Sequence, residues 1–355
     1  MPRHRERHEA GVHSRPHRCG AGGITMKAYR VTTGEGIDGL AQVDLPDPQP
    51  GAGEVLIRVR ATSLNYRDLG VARNSRQPVI PLSDGAGEVV AVGSGVTEFA
   101  TGDHVAGCFF RGWPDGEGRP EYTRHALGGA VDGMLAELVV LPVSAVVHQP
   151  AHMTHEEAAT LPCAALTAWN GMFEEARLPP GASVLLLGTG GVSIFGLQLA
   201  HLAGVRAIVT SSSDEKLERA RTLGADAVIN YRTTPDWERA VLDLTGGRGV
   251  DCVLEVGGAA TYAKSMAATR MGGSLVLVGG LGGPAPEGEA VPMPGRVRAA
   301  RIYVGSRAMF ERMNAALALR EVHPVIDRVF EFGEAQQAYR YLESQAHLGK
   351  VVVRV

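Results

Sequence analysis

Gly188, Gly190 and Gly191 in "VLLLGTGGVS" stand between an apolar, strand-like run and a helical pattern. Gly188 can take the positive φ of a tight turn, and the other two carry no side chain to block an approaching group. The N-terminus of the helix behind them offers unpaired N–H groups and a partial positive charge, as a dinucleotide pyrophosphate requires. With Val192, which follows them into the helix, they form a candidate cofactor turn. Ser193 holds the third glycine position of G-x-G-x-x-G, so the spacing alone also fits a structural turn. The alternation of strand and helix on both sides favours the cofactor.

The next apolar run, "RAIVTSSSDEKLERA", bears on which dinucleotide fits. An NAD site ordinarily ends this strand with an acidic residue for the ribose hydroxyls. Here Thr210, Ser211 and Ser212 hold the place, with Lys216 beyond them. Hydroxyls plus one cation suit a 2′-phosphate, so NADPH is favoured over NADH. Asp214 reads as a cap of the helix starting there, and Lys216 has an alternative as a solvated helix residue.

The elements that must position these residues fall into two patterns. From Met26 to about His148, short Val-rich runs such as "EVLIRVRAT" and "GEVVAVG" are separated by Gly, Pro and Asp, which reads as a barrel-like, mostly antiparallel unit. After "HQPAHMTHEEAATLP", where Thr154 and Glu157 form a capping box, strands alternate with helices of ten or more residues. That alternation implies a parallel, doubly wound sheet, so the fold class is α/β. The closing strand in "GKVVVRV" is expected to return to the first unit. The organisation expected is a tail over 1–25, a β-rich unit over 26–150 and 308–355, and a dinucleotide-binding unit over 151–307.

Composition excludes several functions. The 355 residues are 45% hydrophobic and 21% charged, with a net charge of −3, which gives no electrostatic reason for a nucleic-acid or anionic-membrane partner. No apolar run reaches the ~18–20 residues of a membrane span. Cys19, Cys108, Cys163 and Cys252 lack C-x-x-C spacing, which fits a reducing cytoplasm better than a disulfide framework. The first 25 residues are rich in Arg and His without an apolar stretch and are expected to be a disordered tail, although His4, His8, His13 and His17 could also bind a metal.

From Met26 onward the sequence resembles the medium-chain dehydrogenase/reductase superfamily, through "GEVLIRVRATSLNYRDL", "IPLSDGAGEVVAVGSGV", "GDHVAG", "LPCAALTAWNGM", "GTGGVSIFGLQLA" and "GKVVVRV". It is most similar to the zinc-free, quinone oxidoreductase-like members and their zinc-type alcohol dehydrogenase-like relatives. The resemblance implies a GroES-like catalytic domain, a Rossmann domain, a cleft between them and a homodimer. Zinc members place a cysteine at Asn65, a Gly-His-Glu triplet at Leu82, Ser83 and Asp84, and a further ligand at Cys163. One of three ligands survives, so no metal is expected. The resemblance also places Thr167 by the nicotinamide and Tyr231 by the adenosine phosphate. Val256, Gly257, Gly258, Gly279 and Gly280 fall at strand ends beside ribose or nicotinamide, and Gly305 and Ser306 near the carboxamide. Asn65 is expected to face the cleft. Tyr66 can donate a proton or simply pack, while Arg67 and Asp68 can pair with each other.

Without a Lewis acid, an acceptor whose conjugation already draws charge onto oxygen is the easier substrate. The expected activity is therefore hydride transfer from NADPH to a quinone or an α,β-unsaturated carbonyl. The alternatives are a zinc-free alcohol dehydrogenase or carbonyl reductase, and an NADPH-binding protein with little turnover. Phe109, Phe110 and Trp113 hint at an apolar substrate wall or at loop packing.

Overall fold

The computed structural model describes residues 25–32, 35–280 and 295–355. The expected tail, with its four histidines and Cys19, lies outside the described residues apart from Thr25. The chain opens with the antiparallel pair β1 (Thr25–Val31) and β2 (Leu40–Pro46). It continues through β3 (Glu54–Leu64), β4 (Asp84–Val92), β5 (His104–Gly107), β6 (Leu138–Pro142) and β7 (Val146–His148). In the middle of β3 the alternation shows: Ile57, Val59 and Ala61 are buried while Arg58 and Arg60 are exposed. That is the period of a strand with one face on a core.

The second sheet is parallel: β8 (Ser183–Leu187), β9 (Arg206–Ser211), β10 (Ala227–Asn230), β11 (Val250–Glu255), β12 (Thr269–Leu277) and β13 (Arg298–Arg301). Its spatial order is β10-β9-β8-β11-β12-β13. The order reverses between β8 and β11, and the crevice at the carboxyl ends of those strands is where ligands of such sheets bind. All five residues of β8 are buried because helices cover both faces. Leu186 joins a core on one face with Phe195, Leu254 and Phe310, and Leu185 joins a core on the other with Ile208, Val253 and Leu275. Burial of each such leucine contributes about 1.5–3 kcal/mol. β12, which carries the apolar stretch "GSLVL", lies between β11 and β13 and is internal to the sheet.

The chain then returns as expected. β14 (Ile326–Glu331) and β15 (Lys350–Arg354) pair in parallel, and β15 runs antiparallel to β3 with Val351 opposite Leu64. The sheet reads β14-β15-β3-β4-β5-β7, with β6 also on β3. The Thr154–Glu157 capping box is present, with Glu157 N–H donating to Thr154 Oγ1 at 3.2 Å.

Far from the crevice, Asp251 ties β11 to β8: its Oδ2 accepts from both the backbone N–H and the Oγ of Ser183, each at 2.8 Å. Burial alone would raise this carboxyl, but hydrogen bonds from Arg270, Ser183 and Arg248 outweigh it and hold it at about 2. A folded-state value below the ordinary ~3.9 stabilises the fold above pH ~4, and that gain is lost as pH falls toward 2. Asp251→Asn should destabilise the chain by about 1.5 kcal/mol at pH 7, allowing for the solvent around both arginines. Urea midpoints should show the gap between variant and parent narrowing between pH 4 and pH 2; a gap independent of pH would contradict this reading.

Candidate active site

The glycine turn forms between β8 and the helix Gly191–Ala203. Gly188 has φ +73°, in the left-handed region, and its N–H donates to Thr210 Oγ1 at 3.3 Å. Gly190 is the N-cap residue, and a Cβ built on it would meet no protein atom within 4 Å. Ser193 is buried and donates its hydroxyl hydrogen to Leu187 O at 2.7 Å. That bond satisfies a polar side chain where a glycine would otherwise allow close packing, so the departure from G-x-G-x-x-G is absorbed locally. Gly349 N–H donates to Thr189 O at 3.0 Å, seating the start of β15 against this turn.

At the end of β9, Thr210 and Ser211 are buried, and Tyr231 N–H donates to Ser211 O at 3.1 Å. Tyr231 keeps an exposed ring beside them. Ser213, not Asp214, caps the following helix, accepting from Lys216 N–H at 3.3 Å. Asp214 instead accepts from Asn230 Nδ2 at 2.7 Å. Lys216 is not a freely solvated lysine: its Nζ donates to Gln345 O at 2.7 Å and His347 O at 2.8 Å. An ammonium has three donors, so one remains. Burial, with Lys216 adding to it, pushes the neighbouring His347 imidazole down to about 4.

The ends of β11 and β12 meet. Gly258 has φ +76°, and a Cβ there would fall 2.6 Å from Gly280 Cα. A Cβ on Gly279 would fall 3.0 Å from Val256 O. Glu255 organises this corner: its fully buried carboxylate accepts from Gly257 N–H (2.7 Å), Gly258 N–H (2.9 Å), Thr261 Oγ1 (2.6 Å) and Ser265 Oγ. Thr167 is buried in the helical stretch that follows Cys163, and Gly305 packs on Leu166 so closely that a Cβ would meet Leu166 Cγ at 2.8 Å. Ser306 caps the helix Arg307–Ala318, accepting from Met309 N–H at 3.2 Å. Arg307 is paired with Glu98 at 2.7 Å and Glu311 at 3.1 Å.

On the β-rich side, Asn65 follows β3 and is the N-cap residue of the helix Tyr66–Asn74. Its backbone N–H donates to Asp68 Oδ2 at 2.7 Å. Burial pushes the Asp68 carboxyl up to about 6, against the pull of Arg67 and of that N–H. Arg67 pairs with Asp68 at 3.4 Å, donates to Leu127 O at 3.0 Å and lies 4.8 Å from the Phe109 ring centroid, which is a packing role. Tyr66 is 42% exposed and has no such ties among the described residues. Phe109, Phe110 and Trp113 are all buried, with Trp113 stacked on Tyr122, so they pack the loop.

Sequence reasoning missed two residues here, Glu255 and Lys350. Lys350 opens β15, is 2% exposed, and donates from Nζ to Leu64 O and to Asn65 Oδ1, both at 2.7 Å. Asp84 Oδ2 lies 3.6 Å from the same ammonium. Ser83 Oγ and Ser63 Oγ also donate to Asp84, at 2.7 and 3.3 Å. The signals were a lysine leading an otherwise apolar strand and an acid ending one.

This donor set does not fit a catalytic zinc, which takes three protein ligands such as thiolate and imidazole. The Asn65 oxygen is engaged by an ammonium and Ser83 by Asp84, so of these three positions Cys163 alone offers a thiol and none an imidazole. Among the described residues no three His, Cys, Asp or Glu side chains group to hold a metal ion.

Comparison with known proteins agrees with the fold. Residues 51–151 match the alcohol dehydrogenase GroES-like domain, and residues 191–319 match the zinc-binding dehydrogenase family. A zinc-type alcohol dehydrogenase-like protein of Schizosaccharomyces pombe is 44% identical, over 90% of this chain and 96% of its own length. The chain belongs to the medium-chain dehydrogenase/reductase superfamily. A 2-methylene-furan-3-one reductase of Solanum lycopersicum is 34% identical over 92% of this chain and 79% of that one. A crystal structure from Sinorhizobium meliloti 1021 superposes with a TM-score of 0.83 at 37% identity, covering 93% of this chain and 98% of the other. A mycobacterial protein complexed with NADPH gives 0.77 at 29% identity, covering 93% and 100%. Membership makes the chain an NAD(P)-dependent oxidoreductase with a GroES-like and a Rossmann-like domain.

Proposed function

We propose that this chain transfers a hydride from NADPH to an activated acceptor, a quinone or an α,β-unsaturated carbonyl, without catalytic zinc. The observation that carries the reading is the Asn65–Lys350 pair, a carboxamide bonded to an ammonium where zinc members of the superfamily hold a metal ligand. The Solanum lycopersicum relative, named for reduction of an enone, supports the acceptor class, and the NADPH-complexed neighbour supports the cofactor. The glycine turn fits a pyrophosphate because a side chain at Gly190 would enter space that no protein atom fills.

Bound NADPH supplies the hydride. Gly188, Gly190, Gly191 and Val192 hold the pyrophosphate. Ser211, Lys216 and Tyr231 hold the 2′-phosphate. Thr167, Val256, Gly257, Gly279, Gly280, Gly305 and Ser306 line the nicotinamide side, with Glu255 fixing the Val256–Gly258 corner. Asn65 donates a hydrogen bond to the acceptor oxygen, and Tyr66 delivers the proton. Tyr66→Phe should lower kcat about 100-fold or more while leaving NADPH affinity unchanged; unchanged turnover would remove Tyr66 as the acid. In this reading the units are 26–150 with 308–355 and 151–307, the assembly is a homodimer, and the free thiols Cys108, Cys163 and Cys252 suit the cytoplasm.

The test is an acceptor panel in chelator-treated buffer: a benzoquinone, a cyclic enone, an enoyl thioester and a saturated ketone. Turnover of the conjugated acceptors alone supports the proposal. Turnover of the saturated ketone and its alcohol would favour a zinc-free alcohol dehydrogenase or carbonyl reductase. Tight NADPH binding with no turnover would favour a binding protein.

A further inference from the structure

We infer that Lys350 is a positioning residue that commits Asn65 to act as a hydrogen-bond donor toward the acceptor oxygen. The inference rests on the hydride-transfer reading above and assigns a role that the motif "SLNYRDL" does not itself disclose.

An asparagine carboxamide can present either its oxygen or its NH2 group to a ligand, and rotation by half a turn about its last bond exchanges them. Lysine settles the choice, because an ammonium only donates. The Asn65 atom 2.7 Å from Lys350 Nζ must therefore be the oxygen. Lys350 is itself immobilised. A second bond runs to Leu64 O at 2.7 Å, Asp84 Oδ2 stands 3.6 Å away, and a Cβ on Gly191 would touch the lysine stem at 2.9 Å. The side chain is thus threaded from the start of β15, beside the glycine turn, to the end of β3.

The consequence lies at the other end of the carboxamide. Asn65 Nδ2 is withdrawn from solvent and has no hydrogen-bond partner among the described residues. Leaving a buried donor unpaired costs about 1–3 kcal/mol, so the arrangement persists against a penalty that a bound acceptor oxygen would relieve. Lys350 blocks the rotation that would otherwise let the NH2 group find another partner. Its charge on the amide oxygen also draws electron density from the nitrogen and strengthens the N–H groups as donors. In a site with no zinc donor set, that polarised N–H pair is the group that can meet the charge developing on a quinone or enone oxygen.

Three variants test this. Asn65→Asp keeps the bond to Lys350 but has no N–H, so it should fold with a thermal midpoint close to the parent and bind NADPH within threefold. Its kcat should fall about 100-fold, the usual loss for one oxyanion donor. Lys350→Met fills the lysine's space without charge and should lower kcat about tenfold with little change in the Kd for NADPH. In an Asn65→Ala background the same lysine substitution should change kcat less than threefold, because Lys350 acts through Asn65. Asn65→Asp turning over within threefold of the parent, or a Lys350 effect equally large in both backgrounds, would overturn the inference. If Lys350→Met does not fold, Lys350→Gln takes its place in both backgrounds, and Asn65→Asp still overturns the inference if it turns over within threefold of the parent. A parent that reduces no acceptor would instead defeat the hydride-transfer reading itself. In that case, additive effects of Lys350→Met and Asn65→Ala on the thermal midpoint of the cofactor-free protein would also show that the pair is not coupled.

Discussion

Gly190→Val should weaken cofactor binding more than 100-fold and leave the protein folded. Substitutions at glycine turns usually injure the fold as well as the site, and this position separates the two. Its backbone, at φ −75° and ψ −179°, is one that any residue adopts, and a Cβ would meet no protein atom within 4 Å. Gly188 differs, because its φ of +73° would strain any other residue. Gly191 differs too, because a Cβ there would press on Lys350 Cδ at 2.9 Å and Ala164 Cβ at 3.1 Å. The valine side chain would occupy the approach to the N–H groups at the start of the helix Gly191–Ala203, where a pyrophosphate must come within hydrogen-bond distance. A loss of about 3 kcal/mol, or more than 100-fold in the Kd for NADPH, is expected. The thermal midpoint of the cofactor-free protein should move by no more than about 2 °C. Titration of NADPH fluorescence beside a melting curve checks both. A variant that binds NADPH normally would remove the glycine turn from the cofactor site.

Ser211→Asp should reverse the choice of dinucleotide. Ser211 ends β9, the strand whose last residues meet the adenosine ribose in this class of sheet, and no carboxylate stands there in the parent chain. Lys216 has one ammonium hydrogen left after its bonds to Gln345 O and His347 O, and Tyr231 lies alongside through its backbone bond to Ser211. A new carboxylate about 4 Å from a 2′-phosphate would cost about 4 kcal/mol in partly solvated surroundings, whereas the same group accepts hydrogen bonds from a free ribose diol. The ratio of kcat/KM for NADPH over NADH should therefore fall about 1,000-fold. Most of the change should lie in KM, because the reacting end of the cofactor is untouched. An unchanged ratio would mean that the 2′-phosphate is read elsewhere.

The fold was legible because each part carries a local signal. The alternation in β3, the unbroken apolar run of β8, the capping box at Thr154 and the glycines at 188–191 each follow from short-range chemistry. The site was legible only in part. The place of Thr210 and Ser211 at the end of β9 could be read because the strand–helix alternation fixes where that strand must end. Lys350 could not, because its partner Asn65 is 285 positions away and the contact exists only once β15 has paired with β3. Glu255 was hidden for a different reason. An acid ending an apolar strand looks like a solvated terminus, yet four donors from the following turn and helix enclose it. The aromatic loop left two readings open, and the structure chooses packing. Phe109, Phe110 and Trp113 suggested a substrate wall or loop packing, and their rings are spent on one another, on Tyr122 and on Arg67. The cap of the helix after β9 shifted by one residue for a simple reason: Asp214 is drawn to Asn230, leaving Ser213 to accept the helix N–H.

The central claim is that this chain moves a hydride from NADPH to a conjugated acceptor with no metal in the path. The most direct measurement uses NADPH deuterated at the transferring carbon and a cyclic enone, in chelator-treated buffer with protein checked for zinc content. Deuterium at the β-carbon of the saturated ketone, from zinc-free protein, at a rate far above that with deuterated NADH, is the predicted result. Activity that disappears with the chelator and returns with zinc would contradict it.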